Sequence, residues 1–183
     1  IKSILSQLPV INFAVVGEPT EMNLAVAEKG LLVIDGYASG TPGHAAHDNT
    51  DNAIYNAFQD IEWIKKYSFP KTSDLLGKVK MSVTQINAGE QHNVVPGICH
   101  FVIDVRVNEH YNNKEIFEVI NNNTRSKLEG RSFGLNSSSI RLSHPIVKAG
   151  KYLGKTTYGS PTLSDQANLN CPSLKMGPGV SAR

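Results

Sequence analysis

The chain has 183 residues, 40% of them hydrophobic and 19% charged, the composition of an ordinary globular domain with enough length for a good-sized core. Its net charge of +2 makes no basic field of the kind that tracks phosphate backbones, and no apolar run is long enough to span a bilayer. Nucleic acid and membrane are therefore set aside as partners. The two cysteines, Cys99 and Cys171, form no CxxC and read as buried thiols of a reducing, cytoplasmic compartment. The chain opens on Ile1 with no signal-peptide pattern and closes in a Gly-rich loop after residue 176. The expectation is an internal piece of a longer protein.

In chain order, residues 11–16 (INFAVV) are apolar without alternation and read as a buried, parallel-type strand. Residues 24–27 and 31–38 are further strand candidates. Residues 51–67 repeat apolar side chains at Ala53, Ile54, Ala57, Phe58, Ile61 and Ile64, a helical period. Asn49 or Thr50 would cap that helix, and Ser68-Phe69-Pro70 would stop it. Residues 79–86 alternate as a half-buried strand, and residues 88–96 read as a turn-rich loop. Residues 98–107 form the longest predicted strand, with Cys99, Phe101, Ile103, Val105 and Val107 on one face. His100, Asp104 and Arg106 share the other face with Ile98 and Val102. Residues 112–128 read as a second helix, with Asn112 as cap and Glu115 completing a capping box. Residues 133–142 close as a weak strand.

Strand, helix, strand, strand, helix, strand packs most economically as an α+β unit, a four-stranded antiparallel sheet with two helices on one face and a ferredoxin-like order. The shorter elements before residue 31 and after residue 142 do not fit that unit. The predicted organisation is an inserted domain at 31–142 flanked by α/β segments at 1–30 and 143–183.

Four polar stretches lack a purely structural reason. Glu18, in Gly17-Glu18-Pro19-Thr20, follows an apolar strand, where a carboxylate suits a metal; a turn carboxylate bonded to backbone is the plainer account. His44 follows Pro42-Gly43 in a strand-to-helix connection and could ligate, shuttle a proton or donate to an oxyanion. It could also be a simple polar loop residue. His47, three positions on, makes a weak HxxH. Asn93, before Val94-Val95-Pro96, could hold a substrate carbonyl or close an Asx-turn. Arg106 presents a planar fork suited to a carboxylate, or pairs with Asp104 on a solvated face.

The order of these stretches carries more than any one of them. GEPT, then KG before a strand, GTPGHAAH, NVVP before a strand containing DVR, SDQA and a terminal GPG together resemble the zinc amidohydrolase family that includes acetylornithine deacetylase, succinyl-diaminopimelate desuccinylase, aminoacylase and carboxypeptidase G. The resemblance runs from about residue 13 to residue 179, and within the family it is most similar to the N-acyl-ornithine deacetylases. It implies a two-zinc catalytic domain with an inserted four-stranded, two-helix lid that forms a homodimer. The small-molecule substrate would be an N-acyl amino acid, such as N-acetyl- or N-succinyl-ornithine in arginine biosynthesis. By resemblance Glu18 is a zinc ligand, and His44 donates to the developing oxyanion in the partner subunit's site. Asn93 and Arg106 hold the substrate, and Ser164-Asp165 and Gly177-Pro178-Gly179 line the pocket. His47 carries no family role. The family's remaining metal ligands and its general-base glutamate match nothing here, so this chain alone is expected to hold no zinc and to be inactive. Two other readings stand beside this one: a non-catalytic dimerisation or ligand-binding regulatory module, and a deacylase or peptidase for another N-acyl substrate.

Overall fold

The computed structural model describes residues 2–5, 7–48 and 51–180. In chain order it contains α1 (Lys2–Leu5), β1 (Ala14–Val16), β2 (Leu24–Glu28), β3 (Gly30–Ser39), β4 (Gly43–His44), α2 (Ala53–Lys66), β5 (Lys80–Ala88) and β6 (Val94–Val95). There follow β7 (Ile98–Val107), α3 (Asn113–Asn123), β8 (Lys127–Gly130), β9 (Ser138–Ser139), α4 (Pro145–Tyr152), β10 (Thr157–Ser160) and β11 (Ser173–Lys175).

Alternation along β3, and along β7 apart from the buried Val102, builds the larger sheet. The two strands pair antiparallel from Gly30↔Val107 to Ser39↔Ile98, and β5 and β8 flank them in the order β5-β7-β3-β8. Leu32, Ile34, Phe101, Ile103 and Val105 point to one face and are fully buried against Ala53, Ala57 and Ile64 of α2 and Ile116 and Ile120 of α3. Burial of these side chains is the main stabilising term for the unit. Gly36 lies opposite Phe101, and a Cβ there would stand 2.4 Å from the Phe101 ring, so the bare backbone admits the largest core side chain. Both helices lie on this face and leave the other open, as the element order predicts.

The helix ends have local causes. The Asn52 side chain accepts from the Ile54 N–H at 2.9 Å and caps α2, while Lys65 and Lys66 sit in its last turn, favourably for the helix dipole. The predicted caps Asn49 and Thr50 lie outside the described residues. Asn112 and Glu115 form the predicted capping box on α3. That helix stops at Asn123, short of residue 128, because three asparagines and Thr124 favour turn over helix. The chain then enters β8, where only Leu128 is buried. Asp60, buried on α2, fixes this change of direction by accepting from the backbone N–H groups of Arg125 and Ser126 at 3.0 and 2.8 Å.

The fourth strand of this sheet is thus β8, not residues 133–142. Those residues instead reach the second sheet, where Ser138 pairs with Glu28. The second sheet is ordered β1-β11-β2-β10 with β9 also on β2. β1 runs parallel to β11 and β10 parallel to β2, while β11 and β9 meet β2 antiparallel. Leu24, Val26, Ile140, Val147 and Leu174 form its own small core. Residues 11–16 are not the buried strand expected: only Ala14–Val16 is extended, it lies at the sheet edge, and Val15 is 49% exposed. Cys99 is buried, whereas Cys171 is only half-buried.

Candidate functional site

A two-residue ribbon places His44. β4 pairs antiparallel with β6, His44 opposite Val94, and the Ala45 N–H donates to the Asn93 carbonyl at 2.9 Å. His44 and Asn93, which are far apart in sequence, are thereby neighbours at one end of the lid. The Ala46 N–H donates to His44 Nδ1 at 3.1 Å. With Nδ1 accepting, a neutral ring carries its proton on Nε2, and that N–H is left to donate outward. His44 is exposed, and the Asn93 side-chain amide has no hydrogen bond among the described residues. His47 donates its backbone N–H to the His44 carbonyl at 3.0 Å, and its ring meets the His44 ring edge-on at 5.7 Å. It steadies the turn.

Arg106 lies at the other end of β7. The run from Ile98 to Arg106 covers about 26 Å at ~3.3 Å per residue. Arg106 binds Asp104 through Nε and Nη2 at 2.7 and 3.0 Å. The pair faces an open recess of about 370 Å3 that Lys29, Lys80, Ser82, Thr84 and Pro161 also line. Pro161 belongs to the loop after β10 in the second sheet, so this recess joins the two units.

Glu18 sits in a loop stitched to the Gly-Pro-Gly stretch. Thr20 and Met22 donate their N–H groups to the Gly177 carbonyl at 3.1 and 2.9 Å, and Glu21 donates to Gly179 at 2.7 Å. A Cβ on Gly177 would lie 2.6 Å from the Glu18 carbonyl, so the close approach needs glycine. Ser164 donates its hydroxyl to Glu28 Oε2 at 2.6 Å and caps a short 3-10 turn at Asp165–Asn168. Its proton is therefore committed, and toward a ligand it can offer only a lone pair.

The candidates thus form separate groups: His44 with Asn93, Arg106 at the recess, Glu18 with Gly177, and Ser164 in a buried network. Among the described residues no group of three or more His, Cys, Asp or Glu side chains could hold a metal. Glu18 by itself does not fit tetrahedral zinc, whose structural and catalytic sites take three or four protein ligands.

Sequence reasoning missed two polar clusters. One joins Lys29 to Lys80, which alternation along residues 79–86 shows only as the polar side of a strand. On the open face of the lid, Asp35 accepts from Arg131 Nε and Nη2 at 2.7 and 2.9 Å and meets His100 Nε2 at 2.9 Å. The alternation of β3 and β7 signalled that these residues share a face, but Arg131 lay beyond the predicted helix. The Arg131 hydrogen bonds, with His100 adding to them and burial opposing, hold the Asp35 carboxyl down at about 2 from its ordinary 3.8. A carboxylate whose folded value is depressed stabilises the fold above its unfolded value, and that contribution is lost as pH falls toward 2. Asp35→Asn should lower stability by ~1–2 kcal/mol near neutral pH, the half-exposed Arg131 screening part of the effect. Urea unfolding near pH 7 and near pH 2 checks this: the gap between variant and parent closes at the lower pH.

Comparison with known proteins bears on these groups. A model of the peptidase dimerisation domain of the M20 family matches residues 26–131. An acetylornithine deacetylase from Myxococcus xanthus is 29% identical over 100 residues, which are 51% of this chain and 26% of that protein. A tripeptidase from Staphylococcus aureus superposes with a TM-score of 0.72 at 16% identity over 96% of this chain and 51% of its own. An M20 family metallo-carboxypeptidase from Sulfolobus solfataricus does so with a TM-score of 0.71 at 12% identity over 96% and 65%. The chain spans about a quarter of the length of the curated relative and half to two-thirds of these two structures. The superpositions speak for the fold, and the matched model covers more than half of the chain. This chain belongs to the M20 peptidase dimerisation-domain family.

Proposed function

We propose that this chain supplies the dimerisation lid, and part of the active site, of a zinc-dependent hydrolase that cleaves the amide bond of an N-acyl amino acid. The substrates proposed are N-acetyl- and N-succinyl-ornithine, the setting is cytoplasmic arginine biosynthesis, and the protein acts as a homodimer. The lid is taken as residues 31–142, with 1–30 and 143–183 belonging to the catalytic unit. Two separate apolar cores support two units, but Ile140 and the Ser138–Ser139 pairing with β2 belong to the second of them, so the lid is better ended after β8 than at residue 142.

The observation that carries the proposal is the separation of His44 and Asn93 from Arg106 by the length of β7. One substrate cannot touch both ends of one lid. It can touch Arg106 of one subunit and His44 of the other if two lids join edge to edge. Arg106 then receives the substrate carboxylate. His44 Nε2–H and the Asn93 amide donate to the carbonyl oxygen as charge develops on it. Glu18 offers a carboxylate to the metal site, whose other ligands come from elsewhere in the full-length protein.

The joining edge is β5. The opposite edge, β8, is four residues long and carries the exposed pair Lys127–Glu129, features that discourage strand pairing. β5 is nine residues long, exposes Ile86, and lies beside α2, which exposes Tyr55 and Phe58. Replacing Phe58 and Ile86 together by Glu and Lys should turn a dimer into a monomer, read by sedimentation velocity at micromolar protein. A dimer that survives the double change places the interface elsewhere. The activity is tested on the full-length protein with N-acetyl- and N-succinyl-ornithine side by side. Hydrolysis that a chelator abolishes and zinc restores upholds the reading; a folded, zinc-loaded dimer that hydrolyses neither refutes the substrate assignment.

A further inference from the structure

The recess at Arg106 holds more positive charge than one carboxylate requires. Its lining contains Lys29, Lys80 and Arg106 against the single carboxylate of Asp104, which Arg106 already engages in two hydrogen bonds. Lys29 donates its ammonium only to the Lys78 carbonyl, at 2.6 Å, and neither Lys29 nor Lys80 pairs with a carboxylate among the described residues. Burial first, and then the neighbouring Lys80 and Arg106 charges, push the Lys29 ammonium below its ordinary range. The cluster is thus mutually repulsive as it stands, and an anion would relieve it. Ser82 and Thr84 add hydroxyls along the same wall, and Pro161 closes it from the second sheet.

We propose that Lys29 and Lys80 form, with Arg106, a subsite for a ligand carrying two carboxylates, and so make this chain selective for a dicarboxylic substrate. This rests on the hydrolase reading above and narrows it. Arg106 takes one carboxylate as a planar fork, and the two ammonium groups take the second as point charges. A succinyl or otherwise acidic arm fits the recess. A cationic side chain meets three like charges there and must point away.

The test separates binding from hydrolysis. The full-length protein, freed of metal so that no turnover occurs, is titrated calorimetrically with N-propionylglycine and with N-succinylglycine, which differ by one carboxylate. At low salt the succinyl compound should bind about tenfold tighter, the usual size of a charge-assisted contact. That preference should shrink as salt is added. It should vanish in Lys80→Glu, with sedimentation velocity showing the dimer intact because Lys80 opens the joining strand β5, and weaken in Lys29→Gln. Lys127→Gln, on the far edge of the lid, should keep it. Equal affinities, or a preference that Lys80→Glu retains, overturn the subsite. A preference seen in a protein that hydrolyses no N-acyl amino acid upholds the subsite and refutes the hydrolase reading. Hydrolysis without preference does the reverse.

Discussion

His44→Ala in the full-length protein should lower turnover by about 100–1000-fold, the usual cost of one oxyanion donor, with zinc content and dimerisation unchanged. The geometry argues for such a clean loss. The His44 ring is exposed and makes no core contact, so its removal leaves no cavity. Among the described residues its only side-chain hydrogen bond is accepted from the Ala46 N–H next to it, which solvent can replace. What disappears is one outward N–H donor, and only when charge builds on the substrate oxygen. The fall should therefore be in kcat, with KM nearly constant. Arg106→Ala should instead raise KM, since a carboxylate fork binds ground state and transition state alike. Mixing the two variants, assayed at substrate far below the raised KM so that each alone is nearly silent, gives a sharper result. If His44 and Arg106 serve one site from different subunits, random exchange makes half of the dimers mixed. Each mixed dimer has one intact site, restoring about a quarter of wild-type activity. If both residues act within a single subunit, mixing restores nothing.

The lid was legible where local chemistry agreed with tertiary packing. β3 and β7 alternate over ten residues each and appear as strands with the expected inward faces. The Asn112–Glu115 box announces α3 from sequence alone. The misses have physical reasons. α3 could be extended to residue 128 because the apolar spacing of Ile120 and Leu128 does not exclude helix, and only pairing with β3 makes Leu128 a strand residue. β5 carries a bulge between Val83 and Gln85 that turns Ile86 back toward the Phe101 position, which a strict period of two cannot show. β4 and β6 are two residues each, too short for any periodicity, yet they bring His44 to Asn93. Of the candidate site, the residue types at 18, 44, 93 and 106 could be read, but not their spacing in space. Lys80 looks like the polar side of an alternating strand, and only the fold shows that it shares a recess with Pro161 of the second sheet.

Lys175→Met should cost the protein about 3–5 kcal/mol, the effect of stripping one partner from a buried ion pair. Lys175 and Glu28 are 3.2 Å apart, with side chains 3% and 0% exposed. The ammonium also donates to Ser160 Oγ and the Thr162 carbonyl, both at 2.8 Å. With Thr162 Oγ1 at 3.4 Å it serves four acceptors, and its removal leaves a carboxylate and three oxygens with fewer donors. Glu28 is less well served. Oε2 receives Ser164 and Lys175, whereas Oε1 has no partner among the described residues. The two halves of the pair should therefore respond unequally. Glu28→Gln keeps the shape and leaves Lys175 with its oxygen acceptors, so its penalty is smaller than that of Lys175→Met. The double variant removes both charges and should fall well short of the sum of the single costs, because most of each single penalty is the charge left behind. Urea titrations of the full-length protein and the three variants give the cycle directly. Additive single costs would mean that the pair is not coupled, and that the loop at residues 160–164 is held in place by its hydroxyl contacts alone.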